Sequence, residues 1–114
     1  MKIKKLVING LEMGSIAIAD RFLLRLRGML GRDFDQFDAL LIEPCSEIHT
    51  LFMAYPIDVL CIDKMRQVIM IEENVEPWIP CIGTEDSYAY SVIELPAGKA
   101  GEWEIRVGDH ISIQ

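Results

Sequence analysis

The apolar residues of this chain come in short runs, each soon stopped by proline, glycine, asparagine or aspartate. Runs of this length suit strands, whereas a helix needs roughly ten residues or more of sustained periodicity. Residues 3–8 read as a first strand. Asn9-Gly10 follows, a pair that tolerates the positive φ of a tight turn. Residues 15–19 read as the second strand, which implies a connection longer than two residues. Further strands are expected at residues 39–43, stopped by Pro44, and at 57–62 and 67–71, joined by a polar turn. Residues 88–95 and 110–113 complete the set, and residues 48–53 are ambiguous between strand and helical turn. Residues 72–83 hold Pro77, Pro80 and Gly83 and are expected to be irregular.

Helical spacing occurs in one place. Phe22, Leu23, Leu26, Met29 and Leu30 follow Asp20, whose side-chain oxygen suits an N-cap, and Gly28 and Gly31 suit the end. This helix is expected to turn its Leu/Phe side inward. Residues 97–104 have room for one more helical turn. The fold class expected is therefore mainly β (α+β). It is a compact barrel-like or two-sheet domain of seven to eight short strands, with one N-terminal helix and a short C-terminal helical turn.

Composition then narrows the function. With 114 residues, the chain 1–114 is expected to be a single domain, large enough to bury a core without a staple. Acidic residues outnumber basic ones 18 to 11, for a net charge of −7. Such a charge repels phosphate backbones and anionic bilayers, so neither nucleic acid nor membrane is an expected partner. Three cysteines without close pairing make a poor disulfide framework and suit a reducing cytosol. The apolar N-terminal stretch is broken by Asn9, Gly10 and Glu12, too early for a secretory leader. A cytoplasmic location is the expectation.

Three stretches occur together as a pattern. They are Arg27-Gly28-Met29-Leu30-Gly31-Arg32; then Pro44-Cys45 with His49-Thr50, Met53, Pro56-Ile57-Asp58 and Asp63; then Ile93-Glu94-Leu95-Pro96-Ala97-Gly98 with Gly108-Asp109. In this order the chain resembles domain-of-unknown-function family 192 (DUF192), small bacterial and archaeal proteins. The resemblance runs from about Arg21 to Ile113 and brings no agreed activity with it. Cys61 stands where the family usually has a large apolar residue, which argues against a shared thiol role there.

The polar residues in this pattern are the candidates for chemistry. His49 sits in an apolar run, so its imidazole is either a hydrogen-bonded structural group or a site group. Thr50 beside it is able to bond local backbone. Asp58 falls on the strand face of Leu60 and Ile62, where a carboxylate must be paired or hydrogen-bonded. Glu94 poses the same problem on the face of Tyr88, Tyr90 and Val92. If Asp58 and Glu94 faced one pocket they would form an acid–base pair. Met53 is an adaptable groove-lining residue, and Trp78 is an aromatic on a loop. Arg21, Arg25 and Arg32, with Arg27 nearby, form the basic patch, suited to an anion or partner or else paired with Asp33, Asp35 and Asp38. Cys45, His49 and Cys81, completed by Asp58 or His110, make a weak zinc pattern, and no metal or cofactor is assigned. The three cysteines read more simply as small buried hydrophobes. No Walker loop, GxGxxG or HExxH is present.

Three readings follow, in order. The first is a non-catalytic binding module for a small molecule or peptide, in a groove lined by His49, Met53, Asp58 and Trp78. The second is a protein–protein interaction or structural domain. The third is an enzyme using His49 with Asp58 or Glu94 as acid and base. The sequence fixes neither the partner nor the oligomeric state.

Overall fold

The computed structural model describes residues 1–86 and 88–114; for Phe22, Leu23 and Leu26 it describes the backbone alone. The first hairpin pairs β1 (Lys2–Ile8) with β2 (Leu11–Ala19). Asn9 and Gly10 alone connect them, at φ 50° and 84°. Two consecutive positive φ angles make the turn that matches strand twist. The second strand therefore starts at Leu11 rather than at Ser15 as the sequence reading had it. Its early residues look unlike a strand because the register shifts between Leu6 and Val7, leaving Met13 as the extra residue of a bulge.

β2 runs parallel to β3 (Ala39–Ile42). Parallel neighbours need a crossover, and residues 20–38 supply it. The crossover holds α1 (Phe22–Arg27), only six residues long. The helical share is thus smaller than the sequence suggests. Its N-cap is Arg21 with no side-chain cap bond, so Asp20 does not take the capping role. The inward packing expected of Phe22, Leu23 and Leu26 lies outside the described residues.

The remaining elements are β4 (Glu47–Ile48), β5 (Ile57–Asp63), β6 (Val68–Val75), β7 (Ile82–Gly83), β8 (Ala89–Pro96), α2 (Lys99–Glu102) and β9 (Ile111–Ile113). Seven strands form one sheet in the order β6-β5-β8-β3-β2-β1-β9, and β4 pairs with β7 separately. β6 continues through Glu72–Val75, which the sequence reading had as irregular. The sheet curls into a half-barrel. Its two edges meet at one end through a bridge between Gln67 and His110. The Ile111 amide donates to the Arg66 carbonyl (2.7 Å), and the Gly108 amide to that of Val68 (2.8 Å).

The central strands are buried on both faces, which is why their sequences read as apolar runs and not as alternation. On β5, Leu60 and Ile62 join one core layer with Ile93 and Leu95 of β8. Val59 and Cys61 join the other with Val92. Any polar residue on these strands is buried, whichever way it points. No helix among the described residues is long and apolar enough to cross a membrane.

Candidate functional site

β5 and β8 lie side by side, with Val59 opposite Glu94 and Asp58 opposite Leu95. Directly opposed residues share a sheet face, and successive residues alternate. Asp58 therefore points into the layer of Leu60 and Leu95, and Glu94 into that of Val59 and Val92. The two carboxylates stand on opposite faces of the sheet. This corrects the expectation that they might serve one pocket as acid and base.

Asp58 is fully buried. Its Oδ1 accepts from the Asn74 amide (2.8 Å), and its Oδ2 from the Gly98 (3.0 Å) and Ala100 (2.9 Å) amides. Asn74 and Gly98 both have positive φ, 52° and 92°. One carboxylate thus satisfies turn amides at the end of β6 and at the start of α2, tying both to β5.

Glu94 is buried to 2% exposure, and burial pushes its carboxyl up to about 8, opposed by the nearby Met29 amide. Gly28 makes room for it. A Cβ there would lie 2.5 Å from Glu94 Oε1, and the backbone has φ 54°. Glu94 opens onto a cavity of about 90 Å³ that Arg25, Arg27, Glu47 and His49 also line. His49 Nδ1 accepts from the Leu51 amide (3.1 Å), so the neutral ring carries its proton on Nε2. Cys45, half-buried nearby, donates from Sγ to the Glu47 carbonyl (2.9 Å). Burial raises its thiol pKa and the negative charge of Glu94 raises it further, while its bond to Glu47 and the charge of Arg25 oppose this.

The arginines do not act as one patch. Arg25 lines the Glu94 cavity, Arg21 a cleft with Ile18 and Leu24, and Arg32 a third cleft with Ile3 and Phe37. Nor do they pair with Asp33, Asp35 and Asp38, since no such ion pair occurs among the described residues. Asp38 instead holds Ser15. The guanidinium groups bond backbone carbonyls around α1: Arg25 to Asp20 (3.1 Å), Arg27 to Leu30 (2.8 Å) and Arg32 to Gly28 (3.2 Å). The Gly28 and Leu30 carbonyls follow the end of α1, where basic side chains commonly satisfy free carbonyls, and that of Asp20 precedes the helix.

The remaining candidates go elsewhere. Thr50 is fully buried, Met53 sits in the core, and Trp78 is 59% exposed. His49, Met53, Asp58 and Trp78 therefore do not line one groove, whereas His49, Glu94 and Arg25 do meet. The cysteines differ among themselves: Cys61 is buried, Cys45 half-buried and Cys81 exposed, so Cys81 is not the buried hydrophobe expected. Among the described residues no three His, Cys, Asp or Glu side chains are placed to hold a metal. Glu47 joins the site unannounced, as do Gly28 and Arg27 in the role of neighbours to Glu94. Gly28 is visible in the sequence as a helix stop and as part of the family pattern, and its room for Glu94 depends on tertiary structure.

The DUF192 family model, described as "Uncharacterized ACR", matches residues 5–113. A curated relative, a UPF0127 protein of Thermococcus sibiricus, is 30% identical over 106 residues, covering 86% of this chain. The chain spans 65% of that relative's length, a little under two thirds. Two solved structures share the fold. A protein of unknown function from Novosphingobium aromaticivorans has a TM-score of 0.82 at 17% identity, covering 96% of this chain and 84% of that one. A protein from Sinorhizobium meliloti has a TM-score of 0.85 at 18% identity, covering 98% and 94%.

Proposed function

We propose, for a chain that belongs to the DUF192 family of uncharacterised proteins, that it is a non-catalytic binding module whose ligand seat is the Glu94 cavity. The observation that carries this reading is a carboxyl group buried to 2% exposure yet lining an opening shared with Arg25, Arg27 and His49. Burying a carboxyl without a full set of partners is costly, and ordinary packing gives no return for it. A ligand group that completes its hydrogen bonds gives one.

The cavity's size limits what enters. A volume of about 90 Å³ holds some three waters at roughly 30 Å³ each. That is room for a functional group and not for a whole metabolite. With its pKa near 8, Glu94 is mostly protonated at neutral pH, so it both donates and accepts. The arginines add donors. The fitting group is a carboxamide or carboxylic oxygen at the end of a small molecule or peptide.

The test is a two-dimensional ¹H–¹⁵N NMR titration with acetamide and with acetate. Saturable shifts at the Gly28, Met29 and His49 amides are expected, and their loss in Glu94→Ala. The reading fails if neither compound moves these amides, or if the shifts survive in the folded Glu94→Ala protein.

A further inference from the structure

A second surface adjoins the Glu94 cavity through the β4–β7 pair but shares no lining residue with it. Phe52 and Trp78 are 67% and 59% exposed, and their rings meet at a tilt of 58° with centroids 4.7 Å apart. Both residues have positive φ, 63° and 71°. Large side chains seldom adopt this conformation, so the surrounding structure must hold it.

Thr50 is what holds it. Its carbonyl accepts from the Trp78 amide (2.8 Å), and its own amide donates to the Ile79 carbonyl (2.8 Å). Its hydroxyl donates to the Glu76 carbonyl (2.7 Å) and accepts from the Ile79 amide (2.9 Å). One buried threonine thus clamps the two loops and fixes the aromatic pair in water. A pre-ordered aromatic pair binds with little further loss of conformational freedom.

A cleft of about 380 Å³ is lined among others by Glu72, Glu76 and Ile79, and Glu76 and Ile79 flank Trp78 in the chain. Glu72 and Glu76 are exposed, and among the described residues neither is in an ion pair, whereas Glu73, next to Glu72 on β6, turns to the opposite face and places its carboxylate beside Gly101 of α2. Aromatic faces and free carboxylates both attract cations. The cleft and the platform together span more than one cationic group. The end of β6 is a sheet edge, but its register shifts there and Asn74 has φ 52°. Such a bulge discourages addition of another strand, so an occupant is held by its side chains.

We infer that Phe52, Trp78 and the cleft carrying the Glu72 and Glu76 carboxylates form a docking surface for an extended basic peptide segment. An arginine or lysine stacks on the aromatic pair, and neighbouring basic residues lie along the glutamates. The chemistry excludes a phosphate-bearing partner, which the carboxylates would repel.

The test uses the full chain and a synthetic peptide of alternating arginine and alanine. Tryptophan fluorescence and calorimetry read the binding, with a glutamate–alanine peptide as control. Saturable binding is expected for the basic peptide alone, weakening with salt. Trp78→Ala and, separately, Glu72→Gln with Glu76→Gln should each weaken it by about tenfold. Glu12→Gln with Glu102→Gln removes the same charge elsewhere and should leave it unchanged. Absence of binding overturns the inference. So does equal binding by Trp78→Ala, or equal weakening by the remote pair, either of which reduces the effect to the overall negative charge.

Discussion

Asp58 on β5 and Glu94 on β8 are both shut away from water, at 0% and 2% exposure, on neighbouring strands. Asp58 accepts three backbone amides and is fully employed where it stands. Glu94 faces the other way, has the Met29 amide beside it, and is pushed up to about 8 by burial. Burial alone therefore does not mark a site. What separates a folding anchor from a candidate binding group is how far the surrounding backbone satisfies the charge.

The comparison breaks most visibly at Asp58. Replacement by alanine strands the amides of Asn74, Gly98 and Ala100 together. Each buried donor left unmet costs about 1–3 kcal/mol, so a loss of roughly 3–5 kcal/mol is expected after water relaxes into the gap. Urea denaturation checks it, and Asp58→Asn, which keeps one acceptor oxygen, should fall between. If Asp58→Ala cost no more than a surface substitution, the anchor role would be wrong.

Glu94 should show the reverse, a native residue whose charge works against folding. Its ordinary pKa is 4.5 and its folded value about 8. Between these the folded state holds a proton that the unfolded chain has released. Stability contributed by this group is therefore complete below about pH 4.5, falls as pH rises, and is lost above about pH 8. At about 1.4 kcal/mol per pKa unit, the change is on the order of a few kcal/mol. Glu94→Gln should flatten that fall and exceed the native protein in stability at pH 9. Parallel pH–stability curves for the two proteins would show that Glu94 stays ionised and that the contrast with Asp58 is not one of protonation.

Much of this frame was legible in the sequence, and the remainder is missing for definable reasons. Short runs ended by turn residues gave the mainly β architecture, and the His49-to-Asp63 and Ile93-to-Gly98 strings gave the family. Period-two alternation correctly put Asp58 with Leu60 and Glu94 with Val92. Which of those faces coincide depends on the β5–β8 register, and register is set by non-local packing. Two bulges hid local structure. One disguised the start of β2, and the other lies in β6, which runs on through Val75 into a stretch that Pro77, Pro80 and Gly83 mark as irregular. The partnership of Gly28 with Glu94 had no local signal, because a glycine that makes room for a distant side chain looks like any helix stop. Phe52 lies in the stretch 48–53 that the sequence leaves ambiguous, and nothing local marks it as exposed.

The smallest effect gives the sharpest contrast, because it reports the charge of Glu94 through a neighbour. Cys45 is held back from ionising first by burial and then by the negative charge of Glu94. That charge develops only as pH passes about 8. In Glu94→Gln the thiolate of Cys45 should therefore form more readily above pH 8, and iodoacetamide should label it about two- to threefold faster at pH 9. Peptide mass mapping separates this from labelling at the exposed Cys81. Below pH 7 the two proteins should label alike, since Glu94 is then uncharged in the native chain. Asp58→Asn should change nothing at either pH beyond what its lower stability exposes, because its charge lies across the sheet. An unchanged rate in Glu94→Gln at pH 9 would mean that no charge forms beside Cys45, and Glu94 would then be a neutral packing group rather than the titrating wall of a binding cavity.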